Sequence, residues 1–170
     1  IVFGLVGSEM CIRDSERIRI NGKQAYDEKI VSSFKKIEDC KGKTKLTYFD
    51  YATLAAFDIF SEAQLDFAIL EIGIGGKYDP VNLLDSDISI ITNIDLDHEK
   101  WLGRTLNDIG FQKAAILKEG KVGILGNAIM PDSVNIRASE VCSKKFQLGE
   151  DYIIEKNMKD WEYRLLDYDF

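Results

Sequence analysis

An apolar run that empties into glycine constrains this chain more than any other stretch. Phe67 to Leu70 is followed by Glu71, then by Gly73, Gly75 and Gly76, with Asp79 just before Pro80. The run reads as a buried strand, Phe67 to Ile72, ending in a loop with almost no side chains. Ile88 to Ile94 reads as a second strand, rich in β-branched residues, and Val122 to Leu125 as a third. Helical patterns lie between them. Strands that alternate with helices build a largely parallel sheet with helical crossovers. The expected class is therefore α/β, a three-layer, mostly parallel sheet. In such sheets ligands bind beyond the carboxyl ends of strands. A carboxylate there, as at Glu71, is a metal or ligand group, because an unpaired buried charge is costly. The alternative is a strand followed by an ordinary glycine turn.

The rest of the chain fits that frame. Arg17 to Lys23 alternates and turns at Asn21-Gly22, a hairpin signal. Asp27 to Cys40 carries Ile30, Val31, Phe34 and Ile37 at helical spacing. Lys41 to Lys45 is a charged turn, and Leu46 to Tyr51 leads into a helix whose stripe is Phe49, Ala52, Ala56, Phe60 and Ala63. Asp85 and Asp87 fall in a solvated turn. A further helix starts near Thr105, with Asp108 completing a capping box, and is expected to stop at Gly120. Val134 to Cys142 reads as helix, Lys145 to Leu148 as strand, and Tyr152 to Ile154 with Trp161 to Leu165 as a closing hairpin. Ile1 to Ser15 reads differently. Its apolar start has no basic segment ahead of it, which makes a poor signal peptide, and the stretch resembles translated sequencing adaptor. The expectation is a non-native leader over 1–15 and one folded domain over 16–170.

Bulk properties narrow the function classes. The 170 residues suffice for one domain with a real core. A net charge of −7 argues against a nucleic-acid partner. No apolar run approaches the roughly 20 residues that span a bilayer, which argues against a membrane role. Cys11, Cys40 and Cys142 show neither metal spacing nor a disulfide framework, and read as reduced thiols of a cytoplasmic protein.

One lysine breaks the helical pattern. At about 100° per residue, Leu106, Ile109, Gly110, Ala114, Ile116 and Leu117 share one side of the helix from Thr105, and Lys113 lies among them. Lysines aimed at a core are rare unless paired. Either the side chain snorkels to the surface, or burial disfavours its charged form. A neutral amine adds carbon dioxide to give a carbamate, an anionic oxygen ligand suited to Mg²⁺. His98, the one histidine, follows the second strand in Asp95-Leu96-Asp97-His98. It is either a satisfied structural residue or a ligand. Adjacent parallel strands would bring the ends carrying Glu71 and His98 together. Hard oxygens joined by one imidazole suit Mg²⁺ better than zinc.

Several motifs in order carry a resemblance: Leu46-Thr47-Tyr48-Phe49-Asp50-Tyr51, Leu70 to Gly76 with Asp79 and Asn82, Asp97-His98 with Trp101-Leu102-Gly103, and Lys113-Ala114. Residues from about 16 to 170 resemble an internal piece of folylpolyglutamate synthase/dihydrofolate synthase, in the Mur ligase superfamily. The resemblance implies part of the Mur ligase central, P-loop-type domain. It implies Glu71 and His98 as Mg²⁺ ligands and Lys113 as the carbamylated, catalytic lysine. It also implies that Thr47, Tyr48, Phe49, Asp50, Tyr78, Asp79 and Pro80 line the pterin pocket, with Phe49 stacking and Asp79 hydrogen-bonding the ring. Lys77 stands where the family commonly has arginine, Gln112 where glutamate is usual, and Ala115 replaces a glycine. The Gly-rich P-loop for ATP does not occur in these residues.

The implied activity is ATP-dependent, ADP-forming addition of L-glutamate to dihydropteroate or folate through an acyl phosphate, with two Mg²⁺ ions. The complete protein is expected to be a monomeric ligase of folate biosynthesis. The chain is expected to be truncated at both ends, inactive alone, and prone to self-association through unpaired strand edges. The competing readings are a non-catalytic folate- or nucleotide-binding module and a cell-wall Mur-type ligase. The first is disfavoured by incomplete Gly-x-Gly-x-x-Gly spacing, the second by Thr47-Tyr48-Phe49.

Overall fold

The computed structural model describes residues 3–6, 17–157 and 160–166. The chain divides into two compact units, Ile1–Gly73 with Asp79–Leu83, and Ile74–Tyr78 with Leu84–Phe170.

In the first unit, β1 (Phe3–Val6), β2 (Ile18–Ile20), β3 (Lys23–Gln24) and β4 (Phe67–Leu70) form a sheet of order β3-β2-β1-β4. β1 runs parallel to β4, with Phe3 opposite Phe67 and Val6 opposite Leu70. It runs antiparallel to β2. Of the expected leader, then, Phe3–Val6 is a paired strand; the rest of 1–15 lies outside the described residues, as does Cys11. The Asn21-Gly22 turn joins β2 to β3 as expected, with Asn21 at φ 51°. Two helices follow, α1 (Asp27–Cys40) and α2 (Tyr48–Glu62). Ile18, Ile30, Ala56, Ile59 and Phe60 form the core between helices and sheet, with Leu70 packed against it. The buried face of α2 is Thr53, Ala55, Ala56, Ile59 and Phe60, rotated from the expected stripe; Phe49, Ala52 and Ala63 are only partly buried.

β4 is a correction. It is four residues long rather than six, and Phe67 and Ile69 are 56% and 53% exposed. Alternation explains this. Leu70 faces the helical core, so Phe67 and Ile69 share the opposite face.

In the second unit, β5 (Ile88–Ile91), β6 (Val122–Leu125) and β7 (Lys144–Gln147) form a fully parallel sheet of order β5-β6-β7. The short α3 (Glu99–Leu102) and α4 (Leu106–Ala114) lie between β5 and β6 in the chain, and α5 (Asp132–Val141) between β6 and β7. The α/β class and the parallel pairing thus follow the sequence reading. Ile91, Ala114, Leu117, Leu125, Met130, Val134 and Ala138 form the core. Each fully buried aliphatic side chain contributes about 1.5–3 kcal/mol. Exposed ion pairs such as Lys121–Asp87 (2.6 Å) contribute about 0–1 kcal/mol. The apolar core therefore holds the unit together, and Asp87 sits in a solvated turn, as expected. β8 (Tyr152–Lys156) and β9 (Trp161–Leu165) pair antiparallel as the closing hairpin, tied to the sheet where the Tyr152 hydroxyl donates to the Leu125 carbonyl at 3.0 Å.

α4 is also shorter than expected, ending at Ala114 rather than Gly120. The Ile116 and Leu117 N–H groups turn back to the Lys113 and Ala114 carbonyls at 3.3 and 3.0 Å. The Gln112 carbonyl, which would have continued the helix, accepts the Lys77 N–H at 3.1 Å instead. The glycine-rich loop thus ends the helix.

Candidate functional site

The residues expected around the pterin fall into both units. In the first, the Thr47 side chain caps α2. Asp50 N–H donates to Thr47 Oγ1 at 3.2 Å, while Asp50 Oδ2 accepts from the Thr47 N–H at 2.7 Å and the Thr47 hydroxyl at 2.8 Å. Phe49, on the first turn of this helix, lies against Gly73: a Cβ at Gly73 would stand 3.0 Å from the Phe49 ring and 3.2 Å from an Asp79 oxygen. Asp79 is held in the same place. Its Oδ2 accepts the Gly73 N–H and its Oδ1 the Val81 N–H, both at 2.9 Å. The second contact caps the 3₁₀ turn Pro80–Leu83. Phe49, Gly73 and Asp79 therefore form one cluster. Thr47 and Asp50 serve the helix cap, which the Thr-x-x-Asp spacing could have announced. Tyr48 is exposed.

In the second unit, residues 74–78 lie on the end of α4. Gly76 has φ +149°, and a Cβ there would meet the Gln112 carbonyl oxygen at 2.8 Å. Only glycine permits that approach. The next residue donates its N–H to the same carbonyl. The side chain of Lys77 places its ammonium 5.2 Å from the ring centre of Tyr78 and 5.3 Å from that of Phe111. Neither ring contact was visible in the sequence.

Lys113 sits one residue from the end of this helix and is partly buried, between the two alternatives of a side chain that snorkels to the surface and one desolvated in the core. The buried residues of α4 are Ile109, Gly110 and Ala114, and Leu106 is exposed, so the apolar stripe is narrower than its spacing suggests. The start of α4 carries the expected capping box: Thr105, through its side chain first, holds the Asp108 carboxyl below its ordinary range. Ser89 Oγ, buried on β5, donates to the Ile116 carbonyl at 2.7 Å and fixes the turn behind Lys113.

The expected metal ligands stand as follows. His98 occupies the position just before α3 at φ 50°, without a side-chain capping bond, and its Nε2 lies 3.5 Å from Asp97 Oδ2. Glu71 is exposed just after β4. Among the described residues β4 pairs with β1 and β5 with β6, and no pairing joins the two strands that were expected to be neighbours. Among the described residues no group of three or more His, Cys, Asp or Glu side chains gathers to hold a metal. Carboxylate and imidazole are donor types that a divalent ion accepts, Glu71 in the first unit and His98 in the second.

No protein-family model matches the chain. It is 36% identical over 167 residues to the dihydrofolate synthase/folylpolyglutamate synthase of Escherichia coli, covering 98% of this chain and 37% of that protein. The structure of E. coli FolC in complex with DHPP and ADP superposes with a TM-score of 0.90, at 36% identity, over 96% of this chain and 39% of that one. A bifunctional folylpolyglutamate synthase/dihydrofolate synthase with Mn, AMPPNP and L-glutamate bound gives 0.89, at 34% identity, over 98% and 41%. The chain thus spans about two fifths of the length of the proteins it matches. Across that span it belongs to the folylpolyglutamate synthase/dihydrofolate synthase family.

Proposed function

We propose that the complete protein carrying this stretch is an ATP-dependent, ADP-forming ligase that joins L-glutamate to dihydropteroate or a folate. The observation that carries this reading is the match, over 96% of the chain, to a protein solved with DHPP and ADP. In the reaction, a carboxylate oxygen of the acceptor attacks the terminal phosphorus of ATP and ADP leaves. The amine of L-glutamate then attacks the acyl carbon, phosphate leaves with its bonding electrons, and the ammonium loses a proton. Water must be kept out, or the acyl phosphate hydrolyses.

The Phe49 ring stacks on the pterin, and Asp79, already fixed by two backbone N–H groups, accepts from it. Thr47, Tyr48, Asp50, Tyr78 and Pro80 complete the pocket wall. Glu71, His98 and a carbamate on Lys113 hold Mg²⁺, with two ions in the complete site; they neutralise phosphate charge. Carbamylation forms an N–C bond between the Lys113 amine and carbon dioxide and releases one proton. The complete protein works as a cytoplasmic monomer; the chain carries no helix long and apolar enough to cross a membrane, among the described residues.

The test is ADP release by the complete gene product, with and without L-glutamate, using dihydropteroate and a folate in turn. Glutamate-dependent ADP with either acceptor is expected, and none from the 170-residue chain alone. No glutamate-dependent ADP from the complete product overturns the reading.

A further inference from the structure

Lys77 is fixed twice. Its N–H is bonded to the end of α4, and its ammonium is held over two rings, Tyr78 and Phe111. Yet among the described residues no carboxylate pairs with it. Lys29, Lys36 and Lys121 each meet one within 3.0 Å. In a chain of net charge −7, a lysine that meets none of the described acids has a place for an anion. The rings position the head without neutralising it: a cation–π contact at an exposed site is worth about 0.5–1 kcal/mol, while a hydrogen bond to a charged group adds about 1.5–3 kcal/mol. Both rings also stay open, Tyr78 being 83% and Phe111 56% exposed. A cation flanked by two open aromatic faces suits a ligand that carries a flat ring and, a short amide link away, a carboxylate.

We propose that Lys77 receives the α-carboxylate of the glutamate already attached to a folate acceptor, with the neighbouring benzoyl ring against Phe111 or Tyr78. This rests on the ligase reading above. Dihydropteroate ends at its benzoate, and that carboxylate is the reacting group, so it offers Lys77 nothing. Lys77 would then be a specificity-determining residue that favours acceptors bearing glutamate.

The test compares two acceptors in the complete enzyme. Lys77→Met keeps the stem over the rings and removes the charge; Lys77→Arg keeps both charge and ring contact. Expected for Lys77→Met is a rise of about tenfold in KM for the glutamate-bearing folate. KM for dihydropteroate should rise much less, and the effect should fall on KM rather than kcat. In the wild type, KM for the glutamate-bearing folate should climb with ionic strength, and in Lys77→Met it should not. Lys77→Arg should restore the wild-type values. Equal shifts for the two acceptors, no shift, an Arg variant that behaves like Met, or a wild type that turns over dihydropteroate alone overturns the Lys77 assignment. A wild type with no glutamate-dependent turnover of either acceptor overturns the ligase reading itself, and the assignment with it.

Discussion

The two flanks of the glycine-rich loop treat polar groups in opposite ways. On the flank in the first unit, carboxylates are closed in by the chain itself. Asp79 holds two backbone N–H groups, Asp50 holds Thr47, and Asp58 and Glu62 hold Lys36. On the flank in the second unit the backbone is tied down, but Lys77 and Lys113 have no acidic partner among the described residues. One flank builds a wall of satisfied carboxylates; the other presents the Lys77 ammonium, held over two rings. The contrast teaches that the loop's glycines serve close backbone approach on both flanks, Gly73 on the first and Gly76 on the second, and that only the second leaves side-chain chemistry open.

The largest effect should come from breaking the backbone tie. In Gly76→Ala, the new Cβ would lie 2.8 Å from the Gln112 carbonyl oxygen and 3.0 Å from Ile116, on a residue at φ +149°. Clash and backbone strain together should cost roughly 2–4 kcal/mol. Urea denaturation of the chain checks this, and hydrogen exchange at Ile116 and Leu117 should speed up as the end of α4 loosens. A loss below about 0.5 kcal/mol, the ordinary surface value, would mean that the loop does not hold the helix.

Asp79→Ala tests the other flank. It leaves the Gly73 and Val81 N–H groups without their acceptor. Each unsatisfied group costs about 1–3 kcal/mol when buried. Both are only partly buried, so about 2 kcal/mol in total is expected. Asp79→Asn keeps one amide oxygen and should lose roughly half as much. Equal losses in the two variants would show that charge, not the pair of backbone bonds, fixes Asp79.

Much of this was legible in the sequence, and most of the failures share a physical root. α1 runs from Asp27 to Cys40 and β6 from Val122 to Leu125, as periodicity indicated, because each is set by its own local pattern. The same holds for the Asn21-Gly22 turn and the Thr105–Asp108 cap. The misread end of α4 and the misread face of β4 depend on distant residues. α4 stops early because Lys77 takes its carbonyl. β4 is exposed on the face away from the helices, a fact that an apolar run of four residues cannot encode. The ring beside Lys77 comes from Phe111, and no spacing rule joins those positions. Thr47 and Asp50 differ: their capping signal was local, and the pocket assignment obscured it.

The smallest effect concerns the ion pairs on the closed flank. Glu62 is exposed, yet Lys29 first, and then Lys36, hold its carboxyl down to about 2, against an ordinary value of 4.5. Its folded value is the lower one, so the unfolded chain takes up the proton first as the pH falls. The contribution is therefore fully present above about 4.5 and fades as the pH drops toward about 2. Asp58, lowered by Ser33 and then Lys36, acts in the same direction. Melting temperature should fall through that window in the wild type, and less steeply in Glu62→Gln; equal slopes would remove Glu62 from the account. Lys77→Met provides the counterpart on the open flank. With no described carboxylate released by losing that lysine, its melting curve should keep the wild-type slope across the same pH range. If the slope flattened as it does in Glu62→Gln, Lys77 would have an acidic partner in solution, and the difference between the flanks would disappear.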